Sequence, residues 1–410
     1  MKQKIYFREV LNNGTGYYGL LALLLAVILV GMGATYYMEH HGHYVTGMNN
    51  QIVWGTPHVF AVFLIVAASG ALNIASIGSV FNKKLYKPLA PLSGLLAIAL
   101  LAGGLAVLVL DLGRPDRLIV AMTYYNFKSI FAWNIILYTG FMAIVIVYLW
   151  TMLEHKMNGY TKTAGFIAFI WRLALTTGTG SIFGFLVARE AYDAAIMAPM
   201  FIIMSFSFGL AIFLLVLMAA YRWTDRALGD VILFRLKNLL GVFAAAVLYF
   251  VLVFHLTNLY AAEHSDVERF ILLDGGIYTK LFWIGHILLG NLLPIAMLFH
   301  PTVGKSRAAI AWASILIIVG GLIQMYVIII GGQAYPLNLF PGMDVVSSFN
   351  DGPASGLAHS YTPSTPEFLL GIAGIAIVLL LVAVAVKVLR FLPESLDDAT
   401  VDPHASAAKD

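Results

Sequence analysis

The chain has 410 residues, of which 60% are hydrophobic and only 11% are charged. Soluble domains carry about 25% charged residues, so this composition and a mean hydropathy of +0.87 indicate a polytopic membrane protein. The chain has no cysteine, which excludes disulfides, cysteine nucleophiles and thiolate-ligated iron–sulfur clusters within it. The net charge is only +3 and the basic residues fall in loops, so we expect no nucleic-acid binding.

In chain order, residues 1–16 form a short basic tail. A signal peptide would have a small-residue cleavage site after a short apolar core, whereas here the apolar run continues over 17–37, so we predict a retained first helix. Each predicted span has the ~20 residues that a ~30 Å hydrocarbon core requires. The predicted fold is an all-α integral membrane domain over residues 17–391, with ten transmembrane helices at 17–37, 58–81, 91–111, 131–152, 164–188, 196–221, 238–262, 279–300, 307–332 and 367–391.

The distribution of Lys and Arg predicts the orientation of these spans. Of the 24 basic residues, 17 fall on the side of the two termini, one (Arg172) lies in a span, and six fall on the opposite side: Arg114, Arg117, Lys128, Arg189, Arg269 and Lys280. The positive-inside rule then predicts a bacterial inner membrane protein with both termini cytoplasmic, including the polar tail 392–410. We predict disorder in this tail after Pro393. The long loop 333–366, with five prolines and no Lys or Arg, is predicted to lie outside and to be functional or disordered.

A charged turn follows the third span. The apolar helix ends at Asp111, Gly113 and Pro115 break the backbone, and Asp111, Arg114, Asp116 and Arg117 bring four charges within seven residues. Charges at a membrane edge are often interfacial anchors. Alternatively, the turn covers a site at the membrane surface, with the glycine and the proline directing the charges inward.

Polar residues inside membrane spans are energetically costly and therefore indicate function. Seven such residues fall in the outer third of the predicted topology, which predicts a polar pocket near the outer surface: His58, Asp111, Glu190, His255, Glu263, His286 and Gln324. Each of them alone could instead form a helix-to-helix hydrogen bond or an interfacial anchor. The histidines at positions 40, 41 and 43 could bind a metal, but we predict no metal site and no required role for this segment.

Three classes of protein are compatible with such a pocket. A quinone site needs an apolar cleft with histidine and carboxylate groups that exchange two protons as two electrons pass. A di-haem cytochrome b needs axial histidine pairs near both leaflets, whereas the in-span histidines lie toward one side, and His155 and His300 lie at helix ends. A secondary transporter needs broken helices around a midplane site, which Arg172 and the segment 176–181 would suit.

A family resemblance favours the first class. The motif DLGRPDR at 111–117, followed by NFKS at 126–129 and Trp133, resembles the NrfD-like family of quinone-reactive membrane subunits of polysulfide reductase and its relatives. Residues 54–70 are similar to the family's quinone-side helix, with His58 at the position of its histidine. Residues 175–190 are most similar to the DsrP-like, sulfite-reductase-associated branch, although Thr and Ser stand where family members often have His or Tyr.

The resemblance implies two four-helix bundles, spans 2–5 and 6–9, flanked by spans 1 and 10. It also implies a quinone-reactive anchor subunit of a respiratory redox complex, with no catalysis expected from the isolated chain. The implied proton-exchanging residues are His58, Asp111 and Glu190, and the implied quinone-binding residues are Trp54, His58, Arg114, Asp116, Trp133 and Asn134. We add a candidate proton path to the inner side through Asn73, Arg172, Thr177, His255, His286 and Asn291.

With no haem or iron–sulfur site expected in this chain, electrons would pass to a partner. The resemblance implies an iron–sulfur, ferredoxin-like subunit docked at the outer face. A multihaem cytochrome or a molybdopterin subunit is a further expected partner. The quinone type and the direction of electron flow stay open.

Overall fold

The computed structural model describes residues 5–10, 14–335 and 361–401; most of the predicted loop 333–366 lies outside the described residues. Within these ranges ten helices are long and apolar enough to cross a membrane, as the sequence predicts. They are α1 (Thr15–His41), α2 (Thr56–Ser79), α3 (Lys84–Leu110), α4 (Ile130–Leu153), α5 (His155–Gly184), α6 (Met197–Trp223), α7 (Asp230–Tyr260), α8 (Ile277–Phe299), α9 (Arg307–Ala334) and α10 (Thr365–Val388). The starts of α3 and α5 precede the predicted ones because 3-10 turns lead directly into these helices.

The central helix is α2, which packs against α3, α5, α6, α9 and α10. Of its 16 residues from Thr56 to Ala71, 14 are buried. Its contact with α6 is so close that a Cβ atom on Gly70 would meet the backbone of Ser205, and one on Gly209 would meet the backbone of Gly70. Small residues at helix interfaces permit such backbone approach in membranes.

The helices form two four-membered groups with a flanking pair. In the first group α2 contacts α3, α3 contacts α4, α4 contacts α5, and α5 returns to α2. In the second group α6 contacts α7, α7 contacts α8, α8 contacts α9, and α9 returns to α6. The groups meet where α6 packs on α2 and α5, and α1 and α10 pack on each other, with α10 also contacting α2 and α3.

Because successive helices run in opposite directions, the ends of odd-numbered helices and the starts of even-numbered helices lie at one end of the molecule. We call it the His58 end, and the opposite one the termini end. At the termini end the described parts of both tails pack together: Phe7 forms a β-bridge with Pro393, Arg226 donates to the Pro393 carbonyl, and Leu396 is fully buried. The predicted disorder after Pro393 is therefore wrong up to residue 401, since apolar side chains of this segment join the core.

Candidate functional site

The first carboxylate–imidazole pair lies at the His58 end. His58 is in the first turn of α2, Asp111 directly follows α3, and His58 Nδ1 lies 2.9 Å from Asp111 Oδ2. The Asp111 side chain has no exposed surface, whereas that of His58 is 20% exposed. The distance suits an ion pair, but within the described residues neither His58 Nδ1 nor either carboxylate oxygen has a partner with hydrogen-bond geometry. Buried polar atoms normally have well-oriented partners, so a buried carboxylate whose close contact is a poorly oriented imidazole marks a place that a ligand or water can occupy.

An aromatic wall covers this pair. The Trp54 ring stacks near His58 with ring centroids 6.3 Å apart and near Tyr192 at 6.4 Å. Phe131 and Phe183 meet Trp54 edge-on. The sequence analysis selected Trp54 but missed Tyr192, which lies in the loop between α5 and α6 and is nevertheless fully buried.

The start of α2 is held by a buried network from the α10 side. The Tyr361 hydroxyl donates to Glu367 Oε1 at 2.6 Å and accepts from the Thr56 backbone N–H at 2.7 Å. Glu367 Oε2 accepts from the Gly47 N–H at 2.8 Å. This network fixes the backbone two residues before His58. The sequence analysis missed Glu367, whose only signal is an acidic residue in the first turn of an apolar span.

Helix α1 adds a second pair of polar residues beside the turn that follows Asp111. Gly113 has a positive φ of 69°, and a Cβ atom on it would lie 3.2 Å from His43 Nε2. That nitrogen lies 4.0 Å from Glu39 Oε1, and both atoms are buried without partners. The turn at Gly42 after α1 thus places His43 beside the charged segment, and the prediction that His43 has no required role stays a prediction.

Three predicted binding residues lie at the surface instead, two in the α3–α4 loop and one in the first turn of α4. Arg114 and Asp116 pair with each other at 2.9 Å, and both side chains are exposed. Hydrogen bonding from Arg114 holds the pKa of Asp116 below its usual value. The Trp133 indole is 46% exposed and donates to the Phe127 carbonyl. These contacts shape the loop and do not reach the His58–Asp111 pair.

Asn134 is buried but binds helices together, since its amide donates to the Gly178 carbonyl of α5 at 3.0 Å. On α5 the structure corrects the choice of Thr177, which is exposed. Thr176 points inward, with its hydroxyl 2.6 Å from Ser69 Oγ. Successive residues of a helix point in directions about a quarter turn or more apart. Which of the two adjacent threonines faces the helix bundle therefore depends on the rotation of α5 about its axis, which could not be read from the sequence.

Four of the five remaining residues of the predicted proton path form two separate pairs. Arg172, deep between α2 and α6, donates to Asn73 Oδ1 at 3.0 Å. Asn291 donates to the His286 carbonyl at 2.9 Å within α8. The first pair belongs to the α2–α5 group and the second to the α6–α9 group. Among the described residues no hydrogen bond joins the two pairs.

Glu190 faces the second helix group rather than His58. Its backbone carbonyl lies 2.7 Å from His264 Nδ1, and the charged groups acting on its carboxyl are His264, Asp266 and Glu263. Burial raises the pKa of this carboxyl above its usual value. The α5–α6 loop thus places Glu190 beside the α7–α8 loop, and the expectation that it shares protons with His58 stays a prediction that these contacts do not support.

A second carboxylate–imidazole pair lies in the α6–α9 group. His255 Nδ1 of α7 lies 2.6 Å from Glu268 Oε2, and Asn258 donates to Glu268 Oε1 at 2.9 Å. Sequence reasoning selected His255 but missed Glu268, because a carboxylate in a loop between spans is usually exposed. Each helix group thus carries one buried pair able to hold and exchange a proton.

Comparison with known proteins identifies the family. The family model "Polysulphide reductase, NrfD" matches residues 44–336, beginning after α1 and ending before α10. The chain is 28% identical over 403 residues to the Hdr-like menaquinol oxidoreductase integral membrane subunit of Archaeoglobus fulgidus, covering 97% of this chain and 99% of that protein. It is 21% identical over 394 residues to the menaquinone reductase integral membrane subunit of Nitratidesulfovibrio vulgaris, covering 90% of each. It is also 25% identical over 313 residues to the protein NrfD of Escherichia coli, covering 69% of this chain and 95% of that protein. Since the family match extends over well more than half of the chain and includes the His58–Asp111 pair, the protein belongs to the NrfD family of polysulphide reductase.

Proposed function

We propose that this chain is the quinone-reactive membrane subunit of a respiratory redox complex and that the His58–Asp111 pair exchanges protons with the quinol head group. The observation that carries the proposal is the buried Asp111 carboxylate, which contacts His58 but has no donor with hydrogen-bond geometry among the described residues, next to the Trp54 ring. Two relatives whose names contain menaquinol or menaquinone support a menaquinone-type ligand.

The residues present fit such a head group. A carboxylate without a well-oriented hydrogen-bond donor is expensive to bury, and a hydroxyl from a bound ligand would supply such a donor to Asp111. The His58 ring can donate or accept a hydrogen bond. The flat Trp54 ring offers an apolar surface for stacking. A bound quinol supplies two electrons and two protons. The protein must therefore supply at least one group that receives a proton and a path by which that proton reaches water.

The Glu39–His43 pair is the proposed path for protons between Asp111 and water. The Asp111 side chain has no exposed surface and cannot release a proton directly to water. The side chains of His43 and Glu39 are 27% and 25% exposed, and His43 lies against the turn two residues after Asp111. They are therefore placed to relay protons between the buried carboxylate and water. In this proposal they take the role that the sequence analysis gave to Glu190.

Electrons are proposed to leave through a docked iron–sulfur subunit, because a protein without cysteine cannot hold a thiolate-ligated cluster. The α3–α4 loop supports this partner. It exposes large apolar side chains that a surface in contact only with water would not favour: Leu112, Ile119, Val120, Tyr124 and Phe127. We propose that this loop forms part of the docking surface. With 14 of the 21 described basic residues at the termini end, the His58 end would face away from the cytoplasm.

The test of this function is the loss of quinol-linked electron transfer in His58→Ala and Asp111→Asn. General acid–base groups contribute roughly 10²–10⁴-fold to rates, so we expect each variant to fall by about 10²-fold or more. His40→Ala is the matched control, since His40 is an exposed histidine near the same end. The assay uses a soluble menaquinol analogue in membranes with equal amounts of assembled complex. Rates close to wild type in both variants would exclude this pair as the site.

A further inference from the structure

A separate cavity lies within the α6–α9 group, beside the second carboxylate–imidazole pair. Its polar lining consists of His255, Glu268, His286 and Gln324. Its walls are otherwise apolar and include Met197, Met200, Val251, Phe254, Phe282 and Val327. Ala191 and Gly332 also line it. A Cβ atom on Gly332 would touch the Tyr192 ring, so Tyr192 and Trp54 lie between this cavity and His58.

Two buried polar atoms of this lining are poorly satisfied. Gln324 is 4% exposed, and its Oε1 makes no hydrogen bond among the described residues. His286 is 1% exposed, and a backbone hydrogen bond with Gly320 acts on its ring, although its Nε2 lacks full hydrogen-bond geometry to any described group. An unpartnered buried polar group costs about 1–3 kcal/mol. The unpartnered Gln324 oxygen, with the poorly satisfied His286 nitrogen beside the same cavity, indicates that the cavity has a polar occupant.

The backbone around the cavity is also unusual. Three segments are π-helical, Phe270–Asp274, Leu281–Leu292 and Val327–Gly331, and each contributes lining residues. π-Helical turns are rare and occur frequently at functional sites. Their gathering around a single cavity is an observation independent of the unpartnered atoms, and it supports a functional site at the same place.

The size of the cavity decides the class of occupant. Its volume is about 40 Å³. A buried water needs roughly 10–15 Å³ of such volume, whereas a cavity that binds benzene measures about 150 Å³. The space therefore accommodates about three waters and excludes a six-membered ring. Waters also supply what the lining lacks, because a water can donate to Gln324 Oε1 and can bond to His286 Nε2.

We infer that the α6–α9 group holds a hydrated proton-exchange site, in which a small water cluster joins the His255–Glu268 pair to His286 and Gln324. A proton that leaves the pair moves onto a water, and a proton from a second water replaces it, so the charge of the site is unchanged. No electron is transferred in this step. The inference does not depend on where quinol binds, since it concerns residues on the other side of Tyr192.

Hydroxyl-radical footprinting of the complete complex in lipid nanodiscs tests whether the cavity holds water. Radicals formed from bound water oxidise nearby methionines to sulfoxides. Met197 and Met200 line the cavity, whereas Met204, one turn further along α6, and Met38 do not; all four are buried. We expect Met197 and Met200 to be oxidised several-fold faster than Met204 and Met38. Equal, slow oxidation of all four would show a dry cavity and overturn the inference.

Two variants test the polar lining itself. Gln324→Leu keeps a similar volume but removes a partner for water, so it should slow oxidation of Met200 toward that of Met204; an unchanged rate would contradict the inference. Proton exchange is read from the infrared bands that disappear in Glu268→Gln or in His255→Phe, since the proton of the pair lies on one of these two side chains. In wild type at least one of these bands should shift on transfer to D₂O, and bands that all stay in place would overturn the exchange. Neither readout requires quinol turnover, so both are distinct from the His58 test.

Discussion

The Asp111 carboxylate shows how burial limits the chemistry of a single residue. It lies 2.9 Å from His58 and has no exposed surface, so any proton it takes must leave through a neighbour. His43 and Glu39 are the partly exposed groups placed beside the following turn. The surface pair Arg114 and Asp116 shows the contrast, because these two charged residues lie near the proposed site in the sequence but are not in contact with it in the structure.

The proton relay makes a prediction at the residue scale. His43→Ala and Glu39→Gln should each slow quinol-linked electron transfer several-fold, because the proposed relay between the buried carboxylate and water is interrupted and only the partly exposed His58 remains. Added imidazole should restore much of the rate in His43→Ala by carrying protons in place of the side chain. His40→Ala and His41→Ala are matched controls, as both rings are exposed. If His43→Ala behaves like these controls, with or without imidazole, the relay does not pass through this segment.

His58 and Asp111, which the sequence predicts to lie at one end and which the structure brings together, each have a local sequence signal. His58 follows Trp54 and Pro57 at the start of an apolar span, and Asp111 opens a turn with Gly and Pro at fixed positions, so their common end of the molecule follows from span counting. Glu190 and Glu268 lacked such a signal, because a carboxylate in a loop between two spans can either be exposed to water or be packed against the helix ends. The path of a loop depends on long-range packing that a single sequence does not express.

At the scale of elements, the ten spans were predictable because a run of about 20 apolar residues has few alternatives to a membrane helix. The rotation of each helix about its axis was not predictable, because these spans are apolar on almost all sides and no polar face marks the side that packs inward. Thr176 and Thr177 are an example, since the first is buried and the second is exposed. The π-helical segments of α8 and α9 likewise had no sequence signal. They matter here because they surround the second cavity.

The contact of α2 with α6 yields a prediction about assembly. Gly209→Val should sharply reduce the amount of folded complex in membranes, because even a Cβ atom at this position would overlap the Gly70 backbone, and forced separation of α2 and α6 would displace both helix groups. Overpacking alone costs about 1–3 kcal/mol. Gly33→Val is the control, since nothing lies within 4 Å of its Cβ position. Native gel electrophoresis measures the assembled complex, and equal amounts for the two variants would contradict a tight α2–α6 contact.

At the scale of the whole molecule, the two ends are chemically different. The termini end carries the packed tails and most basic residues, with Arg226 bonded to backbone carbonyls of both tails. The His58 end carries the buried carboxylate–imidazole pairs and the exposed apolar side chains of the α3–α4 loop. This asymmetry suits a subunit that receives a redox partner on one end only. The family match excludes α1, yet α1 supplies Glu39, so part of the proposed relay lies outside the segment that defines the family.

The orientation of these ends is the last prediction. Fusions of a periplasm-active reporter after Lys83 and Asp225, at the termini end, should be inactive, whereas fusions after Lys128 and Asp274, at the His58 end, should be active. The physical reason is the excess of Lys and Arg in the loops of the termini end, which resist translocation. A cytoplasm-active reporter at the same four positions is the control and should give the complementary pattern. The inverted pattern would place the His58–Asp111 pair and the α3–α4 loop toward the cytoplasm. The proposed iron–sulfur partner would then have to dock from the cytoplasm, and protons exchanged at Asp111 would enter or leave on that side.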